Sequence, residues 1–338
     1  MTRKALLKPL LSLVTLVVVF GLGEAMSYLW GTFEGPSSPL RINREMRALA
    51  QYDALLFWSL RSNATVGNLS TSSLGLRGDE VPEVQPGEVR ILSLGESSTF
   101  GWKLPVAQNY SSLLSRKLAD DGTATPVRVI NAGIPGYTIF QGYQYFVHRG
   151  VALRPDIVLL YFGYNDFLPV SYLSSRVRSS GQNDWTLFEA RRQPLQRADA
   201  FLTGASNLYR ALRWRKAGTV SREPVEADDG SVRVPLEHRR KLFSMFLEAC
   251  ERNGCKLVVV VPWYREFDDH VAALREFRDE TGVELIDLPA LLAPRVKEPP
   301  ADYFLDKIHP NPRGHQLIAD AIYERLQPTL AELSGGVR

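Results

Sequence analysis

The stretch "ILSLGESSTFGW", residues 91 to 102, contains the end of a predicted strand and the start of a predicted helix. It begins as an alternating apolar run, stops at Gly95, and then offers Ser97 and Ser98 where a helix can begin. A serine at a helix start lies near free backbone N–H groups, which favour a nucleophile that develops negative charge. The same position is also the usual place of a helix N-cap. The stretch alone leaves both interpretations open.

The same alternation of strand and helix recurs along the chain. Short β-branched runs predict strands at 89–95, 127–133, 156–163, 256–263 and 283–288, and helical patterns lie at 107–120, 139–149, 238–252, 267–281 and 313–333. Strands this apolar along their length should be buried on both faces, as in a parallel sheet covered by helices. We therefore predict an α/β three-layer sandwich around a mostly parallel five-stranded sheet.

Composition and charge limit the function classes. The chain has 338 residues, of which 45% are hydrophobic and 23% charged, as in a globular protein with a sizeable core. The formal net charge is only +3, and no long block of one sign occurs. The sequence therefore lacks the basic footprint of a nucleic-acid-binding protein, and we expect no nucleic-acid partner.

The N-terminus has the features of an export or anchoring segment. Arg3, Lys4 and Lys8 precede an apolar run from 10 to 23, and the apolar character resumes after Glu24. Residues 5 to 30 approach the roughly 20 residues that span a bilayer. We favour an uncleaved transmembrane anchor over residues 1–30. The alternatives are a signal peptide cleaved at "GEA", which would give a secreted protein, and a buried soluble helix.

The basic flank predicts the orientation of that anchor. Positive residues before a span stay inside, so the chain after residue 30 is expected outside the cytoplasm. We divide that part into a spacer with a small irregular lobe, 31–88, and a main domain, 89–334. An insertion at 167–235 holds a helical pattern at 206–217 but no good strand. We expect it to cap one end of the sheet, and its arginines to form a solvated face, with anionic glycans or lipid headgroups as the alternative partners.

Cys250 and Cys255 flank the end of a predicted helix at Gly254. In such a cap the residue after the glycine touches the last helical turn, so the two sulfurs are expected to be neighbours. A disulfide or a pair of buried thiols would both fit. The spacing matches no metal site.

Polar residues and glycines follow two neighbouring strands. Ligands in open α/β sheets gather beyond the carboxyl ends of the strands. "NAGIPGYT" places Gly133 and Gly136 there, where each can bring a backbone N–H close to a ligand. "YFGYNDF" places the two amide donors of Asn165 at the same edge. Taken singly, a glycine after a strand and an Asn-Asp turn are both ordinary.

The spacing in "DKIHPN" is more discriminating. Asp306 and His309 are three positions apart, so the carboxylate can bond one imidazole nitrogen while the other faces the cleft. Asn311 and Pro312 begin the following helix. An oriented base requires a nucleophile, and Ser97 is the natural candidate. We interpret His315 as a packing residue and assign no role to His148, His238 and His270.

The four stretches "GESSTFG", "NAGIPG", "GYND" and "DKIHPN" together resemble the SGNH hydrolase superfamily, also called GDSL-type esterases and lipases. "TSSLGLRGDEV", residues 71–81, is similar to a segment that precedes the first block in bacterial members with an N-terminal membrane segment. The resemblance implies an SGNH, flavodoxin-like fold. One position departs from the pattern, since Glu96 stands where the family usually has Asp before the nucleophile.

The resemblance also implies roles for the site residues. Ser97 would attack an ester carbonyl, His309 would carry the proton, and Asp306 would hold the imidazole. The oxyanion hole would consist of the Ser97 and Gly133 N–H groups and the Asn165 side-chain amide. No cofactor and no metal is implied.

These features predict a membrane-anchored serine esterase outside the cytoplasm that hydrolyses an O-acyl ester on a glycan or lipid. A second hypothesis is an O-acyltransferase that passes the acyl group to an exported polysaccharide. A third is a non-catalytic envelope protein that binds or assembles glycans. The third is disfavoured because every catalytic position is filled.

Overall fold

The computed structural model describes residues 12–26, 44–53, 55–122, 125–170, 183–191, 202, 206, 208–209, 232–263, 268–296 and 300–335. Its strands are β1 (Ala50–Asp53), β2 (Phe57–Leu60), β3 (Thr65–Val66), β4 (Leu69–Ser70), β5 (Val89–Gly95), β6 (Val127–Gly133), β7 (Ile157–Tyr161), β8 (Lys256–Val261) and β9 (Glu284–Asp287).

The described helices alternate with these strands. They are α1 (12–26), α2 (Arg44–Leu49), α3 (Ser97–Phe100), α4 (Tyr110–Asp120), α5 (Ile139–Tyr145), α6 (Asp184–Arg191), α7 (Leu236–Asn253), α8 (Asp268–Thr281), α9 (Leu288–Leu292) and α10 (Pro312–Gly335). Local chemistry sets several of these boundaries. Thr138 and Gln141 form a capping box at the start of α5. Gly254, in the left-handed conformation at φ 70°, ends α7.

The five long strands form one sheet in the order β6-β5-β7-β8-β9. Every neighbouring pair is parallel. Buried side chains of α5, α7 and α8 pack on one face, and those of α4, α9 and α10 pack on the other. The predicted α/β sandwich with five strands is therefore confirmed.

The register of the sheet determines where the site can lie. Gly95 at the end of β5 is opposite Gly133 on β6 and Tyr161 on β7. The carboxyl ends of three adjacent strands thus meet at one edge. The chain continues from them into α3, into the turn at residues 134–137, and into the short 3-10 helix Tyr164–Phe167.

The segment before the sheet, residues 44–53 and 55–88, is the upstream lobe. We expected it to be irregular, and it contains two short antiparallel pairs, β1 with β2 and β3 with β4. Its apolar side chains are continuous with the main core, and Trp58 is fully buried there. The strands have two to four residues, too few for a hydrophobic period to be visible in the sequence.

The predicted anchor lies partly outside the described residues. Residues 12–26 are helical, and their apolar side chains are largely exposed. The Ser206 hydroxyl donates to the Glu24 carboxylate near the end of this helix. In the part of the chain that the structure describes, no helix combines the length and apolar character needed to cross a membrane.

The insertion at 167–235 is described mainly at its ends. Pro169 and Val232 form an antiparallel bridge where the chain leaves and re-enters the domain. Between them the structure describes α6 and a few residues near 206. Most of the predicted helix at 206–217 lies outside the described residues.

Candidate active site

Three of the predicted site residues form a continuous hydrogen-bonded chain. The Nε2 atom of His309 lies 2.9 Å from the Ser97 Oγ atom. On the other side of the ring, Nδ1 lies 2.8 Å from Oδ2 of Asp306 and 2.9 Å from its Oδ1. The structure thus places a hydroxyl, an imidazole and a carboxylate in the order that nucleophilic catalysis requires.

The Asp306 carboxylate also builds the turn that carries His309. Its Oδ1 atom accepts the backbone N–H of Ile308 at 3.0 Å and that of His309 at 2.9 Å. Across the loop, the Leu305 N–H donates to the His309 carbonyl at 2.8 Å. At the start of α10, Asn311 accepts the Gly314 N–H at 3.1 Å. Hydrogen bonds before and after His309 in the sequence therefore fix the turn that carries its imidazole.

The environment shifts the pKa of both groups downward. Burial lowers the pKa of His309 below its ordinary value, the charge of Lys103 acts in the same direction, and Asp306 opposes them. For Asp306, burial acts to raise the pKa, but hydrogen bonds from the His309 side chain and from the backbone outweigh it. At neutral pH this favours a neutral imidazole beside an ionised carboxylate, the state of a general base.

Helix α3 presents Ser97 and separates it from its neighbour. Glu96 takes the N-cap position, so Ser97 is the first helical residue and its hydroxyl bonds His309 instead of capping the helix. The Ser98 hydroxyl instead donates to the Ile308 carbonyl at 3.3 Å. Of the two serines in the opening motif, only Ser97 contacts the imidazole.

The last carbonyls of α3 are held from outside the helix. The Asn131 side-chain amide donates to the Thr99 carbonyl at 2.7 Å. The Arg77 guanidinium of the upstream lobe donates to the Phe100 carbonyl at 3.2 Å. The same guanidinium also donates to the Leu104 carbonyl at 2.7 Å. Two neighbouring segments therefore fix the short helix that bears Ser97.

Asn165 lies at the same edge, with its amide already engaged. It donates to the Tyr137 carbonyl at 3.0 Å and to the Glu96 carboxylate. Its backbone N–H also reaches Glu96 at 3.3 Å. Glu96, which stands where the family usually has Asp, thus connects Asn165 to the residue directly before Ser97. To donate to a bound oxyanion, the amide has to exchange one of these two partners.

Gly133 lies at the predicted edge, but its N–H is occupied. It donates to the Asn131 side-chain oxygen at 2.9 Å. A Cβ at this position would lie 2.3 Å from the Phe100 backbone nitrogen. The absence of a side chain at Gly133 therefore allows β6 to approach α3 closely, and the free donor that we predicted at Gly133 is not present.

The turn at residues 134–137, the Gly136 turn, offers a donor instead. Gly136 has φ 82° and follows a proline, which is typical of a type II turn. Each carbonyl of the turn has a partner: Ile134 accepts from Tyr137 N, Pro135 from Trp58 Nε1, Gly136 from Arg233 Nη1, and Tyr137 from Asn165 Nδ2. The N–H of Gly136 has no acceptor among the described residues. The sequence singles out Gly136 as well as Gly133, but the choice between them depends on these tertiary contacts.

The other histidines and the cysteines play no part in this cluster. His315 is buried, where its Nδ1 accepts the Tyr110 N–H at 3.1 Å, and burial lowers its pKa to about 3. His270 is buried against the Phe162 carbonyl. Both cysteines are free and buried. Within the described ranges, no group of three or more His, Cys, Asp or Glu side chains could hold a metal ion.

Comparison with solved structures identifies proteins of similar fold. An alpha/beta hydrolase enzyme from the metagenome of Lake Arreo, Spain, is 18% identical with a TM-score of 0.47, and the match covers 75% of this chain and 98% of that chain. An acetyl-xylooligosaccharide esterase from Geobacillus stearothermophilus is 16% identical with a TM-score of 0.49, covering 73% and 97%. An acetyl xylan esterase is 18% identical with a TM-score of 0.44, covering 70% and 98%.

Comparison with family models gives the more specific result. Residues 93–317 match the model described as the GDSL-like Lipase/Acylhydrolase family. No curated protein matches the chain. The matched range runs from β5 into α10, and it includes all three residues of the hydrogen-bonded chain.

Proposed function

Because the chain belongs to the GDSL-like lipase/acylhydrolase family and is a serine hydrolase that acts on esters, we propose that Ser97 is its nucleophile, with His309 as base and Asp306 behind it. The observation that carries this assignment is the hydrogen-bonded chain from the Ser97 hydroxyl through the His309 imidazole to the Asp306 carboxylate. We further propose that the substrate is an O-acyl ester on a glycan or lipid outside the cytoplasm.

The reaction follows from the positions of the protons. His309 Nε2 takes the hydroxyl proton as Ser97 Oγ bonds to the acyl carbon. Asp306 supports the imidazolium that forms. His309 then gives the proton to the departing alcohol oxygen, and an acyl-serine remains. Water, deprotonated by His309, attacks the acyl carbon and releases the free acid, and Ser97 regains its proton.

The oxyanion of each tetrahedral intermediate requires N–H donors that are unpaired or that can exchange a present acceptor for the oxyanion. We assign this role to the backbone N–H groups of Ser97 and Gly136 and to the Asn165 amide. The Ser97 N–H lies at the start of α3 and, like that of Gly136, has no acceptor among the described residues. Asn165 contributes when the oxyanion replaces one of its present acceptors. Each such donor typically contributes about 2.7–4 kcal/mol of transition-state stabilisation.

The proposed location rests on the N-terminal segment. The basic flank and apolar run favour an anchor with the catalytic domain outside the cytoplasm. The exposed apolar side chains of residues 12–26 are consistent with a helix whose partner is lipid. In that location O-acylated glycans and lipid esters are accessible substrates.

The experiment uses the full-length chain in detergent with an O-acetylated oligosaccharide, and it measures acetate release. Ser97→Ala should abolish release, whereas Ser244→Ala, a serine on the exposed side of α7, should leave it unchanged. Adding an unacylated oligosaccharide tests the alternative reaction. If acetate appears only as a new ester on the acceptor, the protein is an acyltransferase. If the wild type gives neither product with any acyl ester, the proposed function is wrong.

A further inference from the structure

We propose that Arg233, through its ion pair with Asp184, is a positioning residue that fixes the Gly136 turn for catalysis. This inference rests on the proposed function, because it assigns the Gly136 N–H to the oxyanion hole. It gives the insertion at 167–235 a role at the site that does not depend on capping: two of its residues, Asp184 and Arg233, support the oxyanion donor.

The Arg233 side chain is buried and makes four hydrogen bonds within the described part of the chain. The residue is 0% exposed. Its Nη1 donates to the Gly136 carbonyl at 2.7 Å, and its Nη2 donates to Gln141 Oε1 at 2.8 Å. Nε and Nη2 reach the two oxygens of Asp184 at 3.2 and 2.8 Å. A planar guanidinium held at three sides has one orientation, so the carbonyl that it binds is fixed in space.

Asp184 connects the same cluster to the start of α5. It is also 0% exposed in its side chain, and its Oδ2 accepts the Thr138 hydroxyl at 2.8 Å. Thr138 caps α5, directly after the Gly136 turn. Arg233 therefore binds the middle of the Gly136 turn, and Asp184 binds Thr138, the residue that follows the turn.

The pair also joins α6, which lies inside the insertion, to the point where the insertion returns to the domain. Asp184 begins α6, and Arg233 lies where the chain returns toward α7. The Asp184 N–H donates to the Arg233 carbonyl at 3.0 Å, and the Arg233 N–H donates to the Leu168 carbonyl at 2.9 Å. Leu168 and Asp184 thus hold the backbone of the residue whose guanidinium binds the Gly136 carbonyl.

The geometry of the turn explains why its support matters. A trans peptide is planar, so its N–H and C=O point in opposite directions. The Pro135 carbonyl accepts from Trp58 Nε1 at 3.3 Å, which aims the Gly136 N–H away from Trp58. Arg233 holds the next peptide. Together they prevent the Pro135–Gly136 plane from rotating, and a donor that is misplaced by about 1 Å can lower a rate by roughly 100-fold.

A buried ion pair is not by itself evidence of stabilisation, since apolar residues can often replace both partners without loss of stability. A purely structural role and a positioning role therefore make different predictions. The chain offers a matched control in Arg90, which is also buried. Arg90 bonds Glu88 at 3.0 Å and the carbonyls of Leu153 and Pro82, near the opposite, amino end of β5.

The test compares Arg233→Met with Arg90→Met in the full-length protein. It measures kcat and KM on an O-acetyl ester, normalised to the fraction of molecules that a fluorophosphonate labels, and the thermal midpoint. Both variants should lose stability. Only Arg233→Met should lower kcat, by about 10- to 100-fold, with KM within about twofold of the wild type.

Arg233→Lys covers the case in which the methionine variant does not fold. Lysine keeps the charge beside Asp184 but cannot bond Asp184, Gln141 and the Gly136 carbonyl at once, so kcat should still fall about fivefold or more while KM is unchanged. Wild-type kcat in Arg233→Lys, or an equal fall in kcat for Arg233→Met and Arg90→Met, would overturn the inference. An inactive wild type that the fluorophosphonate does not label would instead refute the proposed function.

Discussion

The Nε2 atom of His309 lies 2.9 Å from the hydroxyl oxygen of Ser97, although the two residues are 212 positions apart in the chain. The parallel sheet sets one side of this contact, because β5 delivers Ser97 to the carboxyl edge. The loop before α10 sets the other, because Asp306 folds it around the imidazole. The contact therefore depends both on the parallel sheet and on the turn that Asp306 forms.

The pH dependence should reveal the contribution of Asp306. The proposed mechanism requires neutral His309, and burial lowers the pKa of this group, so the acid limb of kcat/KM should lie below the ordinary histidine value of about 6.5. Asp306 raises the pKa of His309, so Asp306→Asn should move the limb to still lower pH. It should also lower kcat by about 10⁴-fold, because the imidazole loses its orienting carboxylate.

The measurement is a kcat/KM profile from pH 4 to pH 9 for both proteins. Exposed Asp302, four residues earlier, supplies the control substitution Asp302→Asn, which should leave the limb in place. A limb that moves to higher pH in Asp306→Asn would contradict the geometry of the pair.

Loss of the Asn165 amide should be visible in kcat. Asn165→Ala removes a donor from the proposed oxyanion hole and should reduce kcat by about 10²- to 10³-fold, with a smaller effect on KM. Asn253→Ala is the control, because that amide only bonds the Ala249 carbonyl near the end of α7. Steady-state kinetics on a soluble acetyl ester would measure kcat and KM for both variants. An Asn165→Ala enzyme with wild-type kcat would exclude this residue from the oxyanion hole.

The sequence predicts most of the fold correctly because the relevant signals are local. The five strands of the sheet are β-branched runs long enough to be distinguished from helices, and their predicted ranges agree with the structure to within a few residues. The three-residue spacing of Asp306 and His309 likewise encodes a single turn. Their contact with Ser97 has no local signal, since it joins segments 212 positions apart; the need of an oriented base for a nucleophile suggests it, and the family pattern supports it.

The remaining features depend on contacts between distant segments. The local sequence does not show that the Gly133 N–H donates to the Asn131 side chain, or that Trp58 and Arg233 bind the Pro135 and Gly136 carbonyls, while the Gly136 N–H has no acceptor among the described residues. A type II turn is suggested by Pro135 and Gly136 themselves. Which glycine faces a ligand is a property of the folded chain.

Arg77 should be essential for stability. It is buried, and burial lowers its pKa to about 10, so it remains charged at neutral pH. It donates to four backbone carbonyls, those of Asn68, Ser70, Phe100 and Leu104. Arg77→Lys leaves several of them unpaired and should cost about 3 kcal/mol or more in the free energy of unfolding.

Urea unfolding followed by tryptophan fluorescence would measure the effect of Arg77→Lys. Arg116→Lys, an Arg that bonds one carbonyl at an exposed position on α4, serves for comparison and should change the midpoint little. An unchanged midpoint in Arg77→Lys would show that the upstream lobe does not support α3 in this way.

Gly133→Ala should disturb the packing of β6 against α3 and destabilise the fold. The added Cβ would lie 2.3 Å from the Phe100 nitrogen, so β6 and α3 have to separate. We expect a loss of stability of about 1–3 kcal/mol, as for other overpacked positions. Gly122→Ala has no atom within 4 Å of its Cβ, although its φ of 66° carries strain of its own, so it controls for added size. A thermal midpoint of Gly133→Ala that equals or exceeds the midpoint of Gly122→Ala would contradict the close approach of β6 to α3.

The identity of the nucleophile is tested most directly by covalent labelling. The full-length protein is treated with a fluorophosphonate, and the modified peptide is mapped by mass spectrometry in the wild type, Ser97→Ala and Ser98→Ala. We expect one adduct, on Ser97, that is retained in Ser98→Ala and absent from Ser97→Ala. An adduct on Ser98, or an active wild-type enzyme that carries no adduct on Ser97, would contradict this expectation.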